Sequence, residues 1–185
     1  ILDTLCGKPT PQPPQLYHGE PVQTAVLYGL AVDAAHLTGK EVVLDAYCGI
    51  GTIGLTASDK ARQVVGVEVN QDAVRDAIGN AKHNGVKNAR FFAADATAWI
   101  REAADAGQKA DVVFMDRPGR VRRPPSSRAW PAWPPSAIVY VSCNPETMAR
   151  DLALLTQKAT APRLHARGYV PPQRTLARWS GRWFV

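Results

Sequence analysis

Five short apolar runs, most of them separated by helix-length segments, constrain this chain more than any other feature. They are EVVLDA (41–46), QVVGVEV (63–69), ARFFAAD (89–95), ADVVFMD (110–116) and AIVYVS (137–142). Runs of this length, rich in β-branched and aromatic residues, read as strands buried on both faces. Strand and helix in alternation require a parallel sheet with crossover helices, so the expected fold is α/β, a Rossmann-like, doubly wound, mostly parallel sheet.

The intervening segments carry helix signals. PVQTAVLYGLAVDAAHLTGK reads as a helix from Pro21 to Leu37, with proline in its first turn and Gly39 just past its end. TIGLTAS begins a helix directly after a glycine turn. Asn70 is a good N-cap for QDAVRDAIGNAKHN, and Gly85 is its stop. ATAWIREAADAG follows the third strand. After the fifth, Met148, Leu152 and Leu155 share one face of a helix opening at Pro145.

Two windows break the alternation. KPTPQPP (8–14) and RPGRVRRPPSSRAWPAWPP (117–135) hold ten of the fifteen prolines, which cannot donate ladder or helix hydrogen bonds. The tail from Ala159 is also poorly patterned, although GYV and RWFV suit a short hairpin. At 185 residues one core is the default. Residues 1–20 are therefore read as an extension or the remnant of a preceding region, and 21–185 as one domain, irregular over 117–135 and 159–185.

Three cysteines, Cys6, Cys48 and Cys143, form no C-x-x-C pair, so neither a disulfide framework nor a zinc site is signalled, and no metal is expected. No run of 18 apolar residues and no signal-peptide pattern occurs, which reads as a cytoplasmic chain without membrane contact, monomeric by default. The net charge of +6 hides an asymmetry. Residues 1–116 carry 10 Lys/Arg against 14 Asp/Glu, and residues 117–185 carry 12 against 2, giving −4 and +10. A basic half suits a polyanion such as RNA, or is simply a solvated surface.

Gly49-x-Gly51-x-x-Gly54 lies between the first strand and its helix, where glycines let backbone N–H groups approach a ligand at a positive helix end. Glu68, at the tip of the next strand, suits ribose hydroxyls. The combination fits a dinucleotide or S-adenosylmethionine. Asp45 inside the strand and Tyr47-Cys48 before the glycines are unlike a dehydrogenase turn, and Cys48 reads as a small buried filler. Asp95 and Asp116 end the third and fourth strands, at the carboxyl edge where such sheets bind ligands. Asp95 suits an adenine amino group or, equally, the N-cap of the next helix.

Cys143 stands at the end of the fifth strand, just before Asn144 and Pro145, a cap and first residue for a helix. A helix's positive end favours the thiolate, the nucleophilic form.

DAYCGIGTIGL, GVEVNQDAV, DVVFMD and VYVSCNPETMARDL, in this order and spacing, resemble the RNA (uracil-5-)-methyltransferase family, which makes 5-methyluridine in rRNA or tRNA. The likeness covers residues 21–116 and 137–157, and the S-C-N-P tetrapeptide before a helix is its most specific element. It implies the S-adenosylmethionine-dependent methyltransferase type of Rossmann-like fold, with S-adenosyl-L-methionine held by Tyr47, Gly49, Gly51 and Thr52 of the turn and by Glu68, Asp95 and Asp116. It also implies Cys143 as a nucleophile that adds to C6 of an RNA uridine, 23S rRNA first among the substrates, with Asp116 near the target base.

Some of the family pattern is missing. His18 stands where the family has a glutamine touching the cofactor. DRPG replaces Asp-Pro-Pro-Arg after the fourth strand, and no Glu follows Glu146, so the family's base for the C5 proton has no counterpart. The resemblance implies a catalytic domain apart from the family's N-terminal RNA-binding modules. Good matches resume abruptly after 117–135, as local changes of reading frame would produce. Two alternatives follow: a catalytically impaired domain that binds RNA or cofactor, and an NAD-dependent oxidoreductase resting on the glycine fingerprint and Glu68.

Overall fold

The structure, a computed structural model, describes residues 21–116, 135–142, 148–151 and 153. The elements run α1 (Pro21–Ala34), β1 (Val42–Ala46), α2 (Thr52–Ala57), a 3-10 turn (Ser58–Lys60), β2 (Gln63–Glu68), α3 (Gln71–His83), β3 (Ala89–Ala93), α4 (Ala96–Asp105), β4 (Val112–Asp116) and β5 (Ala137–Val141). The described strands form one parallel sheet in the order β3-β2-β1-β4-β5. The chain steps outward from β1 to β3 and then returns to β4 on the other side of β1. This reversal opens a crevice at the carboxyl ends of β1 and β4, where doubly wound sheets bind ligands.

Residues of β1 alternate between two cores. Val43, Val64, Val112 and Phe114 pack with Ala31 and Val32 of α1, Ala35 just beyond it, and Ile53 and Ala57 of α2. Leu44, Ala46, Val67, Val113 and Met115 pack with Ala96, Ile100 and Ala103 of α4. Leu55 and Ala81 extend the first face toward Phe91 of β3. Burying side chains such as Leu44, Leu55 and Phe114 fully stabilises the fold by ~1.5–3 kcal/mol each.

Among the described residues the five predicted strands form, and the helices between them form where expected, the first ending early. The first helix ends at Ala34 rather than Leu37 because His36 turns left-handed (φ 49). The carboxylate of Glu41 then competes for the backbone beyond it. It accepts from the Thr38 N–H at 2.8 Å, the Thr38 hydroxyl at 2.6 Å and the Lys40 N–H at 3.1 Å. The Thr38 bonds pull its carboxyl down to about 2. Asn70 caps α3, its side chain accepting from the Asp72 and Ala73 N–H groups, and Gly85 (φ 69) follows that helix. The extension 1–20, the irregular window 117–134 and the tail lie outside the described residues. Residues 148–151 and 153 are helical, as the apolar spacing predicted. Among the described residues, no helix is long and apolar enough to cross a membrane.

Candidate functional site

Between Ala46 and Thr52 the chain must leave the sheet and reverse into α2, and three left-handed residues make the turn: Tyr47 (φ 67), Gly49 (φ 53) and Gly51 (φ 84). The Tyr47 and Cys48 N–H groups both donate to the Val67 carbonyl, at 2.9 and 3.1 Å, and Gly51 N–H donates to the Cys48 carbonyl at 2.8 Å. From α3, the Asn80 side-chain amide donates to the Ile50 carbonyl at 3.0 Å. A left-handed conformation in a bulky residue such as Tyr47 is uncommon and strained by ~1–3 kcal/mol, and such residues cluster at ligand sites.

The motif glycines serve different needs. A Cβ on Gly49 would meet nothing within 4 Å, so its surroundings are open and its φ is what demands glycine. A Cβ on Gly54 would lie 2.9 Å from both Asp45 Oδ2 and Val64, so here glycine permits close approach of α2 to the sheet. Thr52, 8% exposed, opens α2.

The acidic strand tips converge on this turn. Glu68 Oε2 accepts from the Gly49 N–H at 3.2 Å and Oε1 from the Asn70 N–H at 2.9 Å, which ties the end of β2 to the glycine turn. Each oxygen retains further acceptor capacity. Asp116 is half-buried, and its Oδ2 accepts from the Tyr28 hydroxyl of α1 at 3.0 Å. Asp95 is exposed and caps α4 by accepting from the Ala98 N–H at 2.9 Å, so the capping half of its double reading is seen directly.

Asp45 and Cys48 are the buried ionisable groups of the turn. Asp45 is 1% exposed, and its Oδ2 accepts from the Gly54 N–H at 2.8 Å. Its Oδ1 is buried without a hydrogen-bond partner. Burial, then the nearby charges of Asp116 and Glu68, push its carboxyl up to about 7, against a bond from Gly54 that lowers it. Burial, followed by the charges of Asp45 and Glu68, pushes the Cys48 thiol well above its ordinary range. Cys48 is therefore a neutral filler, as its sequence context suggested.

On the other side of the crevice β5 runs beside β4, with Val141 opposite Asp116. Cys143 follows two residues later and lies outside the described residues. Beyond it Asp151, 2% exposed, accepts from the Tyr140 hydroxyl at 2.7 Å and from Arg150 Nε and Nη2 at 3.0 and 2.9 Å. The helical residues after Cys143 are thus tied back to β5.

The structure brings Tyr47, Gly49, Gly51, Thr52 and Glu68 together at one turn, with Asp116 on the adjoining strand and Asp95 at the foot of α4. Sequence reasoning gave no role to Asp45, Tyr28 or Asn80. An acid within an apolar strand was the available signal for Asp45; Tyr28 and Asn80 bond partners 88 and 30 residues away, and nothing local marks them. No group of three or more His, Cys, Asp or Glu among the described residues could hold a metal ion.

The arrangement suits a nucleoside ligand that carries positive charge: carboxylates for hydroxyls and cations, and open backbone at Gly49 for close approach. Comparison with known proteins agrees with that chemistry. A methyltransferase-domain family model matches residues 37–152. An uncharacterized RNA methyltransferase of Enterococcus faecalis is 47% identical over 141 residues, 76% of this chain and 31% of that protein. One from Clostridium tetani is 43% identical over 145 residues, 78% of this chain and 32% of that protein. The crystal structure of the Pyrococcus abyssi tRNA (uracil-54, C5)-methyltransferase in complex with S-adenosyl-L-homocysteine is similar at a TM-score of 0.60. It is 31% identical and covers 75% of this chain and 33% of that one. The chain spans about a third of the length of the curated relatives it matches.

Proposed function

This chain belongs to the methyltransferase-domain family, and from that premise we propose that it is the catalytic portion of an S-adenosylmethionine-dependent RNA (uracil-5-)-methyltransferase. The observation that carries the reading is the register of Asp116 against Val141, two residues before Cys143 of the S-C-N-P tetrapeptide. It sets the strand leading to the candidate nucleophile beside the acid-rich edge that bears the glycine turn. The likeness to a uracil C5-methyltransferase supports the same choice. The family match selects S-adenosylmethionine over NAD for the glycine turn, and the oxidoreductase alternative is dropped.

When bound, S-adenosylmethionine supplies an electrophilic methyl group on a sulfonium. The chain's own residues do the rest. Glu68, with an N–H on each oxygen and acceptor capacity to spare, takes ribose hydroxyls. Gly49, open on its free side, would admit the ligand close to the backbone, Gly51 would shape the turn over Phe91, Tyr47 and Thr52 would line the cofactor, and Asp95 would take the adenine amino group. The Cys143 thiolate forms a bond to C6 of the uracil, and the C5–C6 π electrons move toward the C4 carbonyl, so C5 gains the carbon nucleophilicity that free uracil lacks. After C5 has taken the methyl group, loss of its proton to a base restores the double bond and expels the thiolate. The uridine must leave its stack to be reached, and the +10 of residues 117–185 suits the phosphates around it.

One observation favours the second reading, an impaired domain: no Glu follows Glu146 to act as that base. RNA containing 5-fluorouracil separates the steps, because its C5 holds no removable proton. The protein incubated with S-adenosylmethionine and this RNA should form a covalent adduct that Cys143→Ala abolishes. An impaired domain would form the adduct yet leave ordinary uridine RNA unmethylated. Absence of adduct from protein that binds S-adenosylhomocysteine refutes Cys143 as nucleophile.

A further inference from the structure

The glycine turn sits on a carboxyl group that the proposed mechanism leaves idle. Asp45 is held rigidly by the Gly54 N–H at 2.8 Å, is 1% exposed, and buries its second oxygen without a partner. Among the described residues, the charged groups that act on it are both acids: Glu68 from β2 and Asp116 from β4, the latter bonded to Tyr28 of α1. The turn contributes the neutral Cys48 thiol, and α2, Thr52–Ala57, has no ionisable side chain. A negative charge at Asp45 is thus disfavoured by burial and by both of these neighbours, and a cation arriving at the turn would offset it.

We propose that Asp45 is the residue by which this site tells the cationic methyl donor from its neutral, demethylated product, being ionised when the sulfonium is bound and protonated when it is not. The inference rests on the cofactor assignment made above. S-adenosylmethionine and S-adenosylhomocysteine share the adenosine and the amino-acid portion and differ by one methyl group and one positive charge. Binding the sulfonium expels the Asp45 proton to solvent; binding the thioether leaves it in place. Once the methyl group has been transferred the sulfur is neutral, the carboxyl takes a proton back, and the attraction that held the donor is gone. The residue therefore favours donor over product and assists product release.

The sign of the linkage follows from the raised carboxyl, which titrates at about 7. Below that pH a proton must leave for the cation to bind, so donor affinity rises with pH, by up to about tenfold per pH unit for one full proton, and levels off above it. Product affinity stays flat across the same range.

Isothermal titration of the full chain near about pH 6, in two buffers of different ionisation enthalpy, counts the protons released. S-adenosylmethionine should release close to one and S-adenosylhomocysteine close to none. The ratio of their affinities should rise about fivefold from about pH 6 to about pH 7. Asp45→Asn, which keeps an acceptor for Gly54 N–H, should erase the difference. Equal proton release for the two ligands in the unsubstituted protein, or a difference that persists in folded Asp45→Asn, overturns the inference while leaving the cofactor assignment intact. Failure of both ligands to bind overturns the assignment and the inference with it.

Discussion

Replacing Gly66 with alanine should damage the turn from beneath, without replacing any residue of the candidate site. Gly66 lies in β2 opposite Asp45 of β1 and Phe91 of β3. A Cβ there would fall 2.4 Å from Phe91 Cδ1, 2.6 Å from its Cε1 and 2.9 Å from Cys48 Sγ. Carbon atoms pack at about 3.5–4.0 Å, so the Phe91 ring would have to move by more than about 1 Å. It cannot move freely, because the same ring already lies 2.9 Å from where a Cβ on Gly51 would be. Overpacking of this kind costs ~1–3 kcal/mol, and replacing a strand glycine returns ~0.5–1 kcal/mol. The net loss should be about 1–2 kcal/mol, which at about 2–4 °C per kcal/mol for a chain of this size lowers Tm by about 2–8 °C. Urea unfolding should show a lower midpoint with an unchanged m-value. Combining Gly66→Ala with Phe91→Ala should cost less than the sum of the two single changes, since the colliding ring atoms are gone. Strict additivity, or a Gly66→Ala protein as stable as the unsubstituted one, would refute the account of Phe91 as the wedge under the turn.

Two further outcomes follow from named bonds. Asn80→Ala removes the brace on the Ile50 carbonyl, worth ~1 kcal/mol, so S-adenosylhomocysteine should bind roughly fivefold more weakly by titration while the far-ultraviolet dichroism of α3 is unchanged. For Asp45, a folded carboxyl raised from its ordinary 3.8 to about 7 stabilises the fold fully below the unfolded value, and that contribution is lost as pH rises through about 7. Asp45→Asn should therefore flatten the fall in stability between about pH 4 and about pH 7, measured by urea unfolding at each pH; an unchanged fall would assign it to other groups.

The strands, their helices and the carboxyl-edge acids were legible in the sequence because their signals are local. Asn70 is an N-cap by its own side chain, Gly85 stops a helix through its own φ, and each strand is marked by its run of apolar residues. What escaped depends on distant partners. The three residues by which the α1 reading overran are taken up by a left-handed His36 and by Glu41, whose carboxylate outcompetes the helix for Thr38. Nothing local in QVVGVEV marks Gly66, and only the packing of Phe91 and Cys48 shows why a side chain does not fit. Asp45 was visible as an odd residue in an apolar run, but its unpartnered oxygen is a property of the assembled sheet. Cys143, the most specific sequence signal, rests on its motif and on the register of the strand before it.

The carboxylate of Glu68 spans the Gly49 and Asn70 amides, and that double attachment bears on any attempt to retune the protein for a different cofactor. Under the proposed function Glu68 takes the ribose hydroxyls, which makes one residue at a strand tip look like an easy handle for such engineering. The same side chain fastens the turn to the start of α3. An exchange made for the ligand's sake would unfasten both, so cofactor preference is welded to local architecture and has to be redesigned as a block.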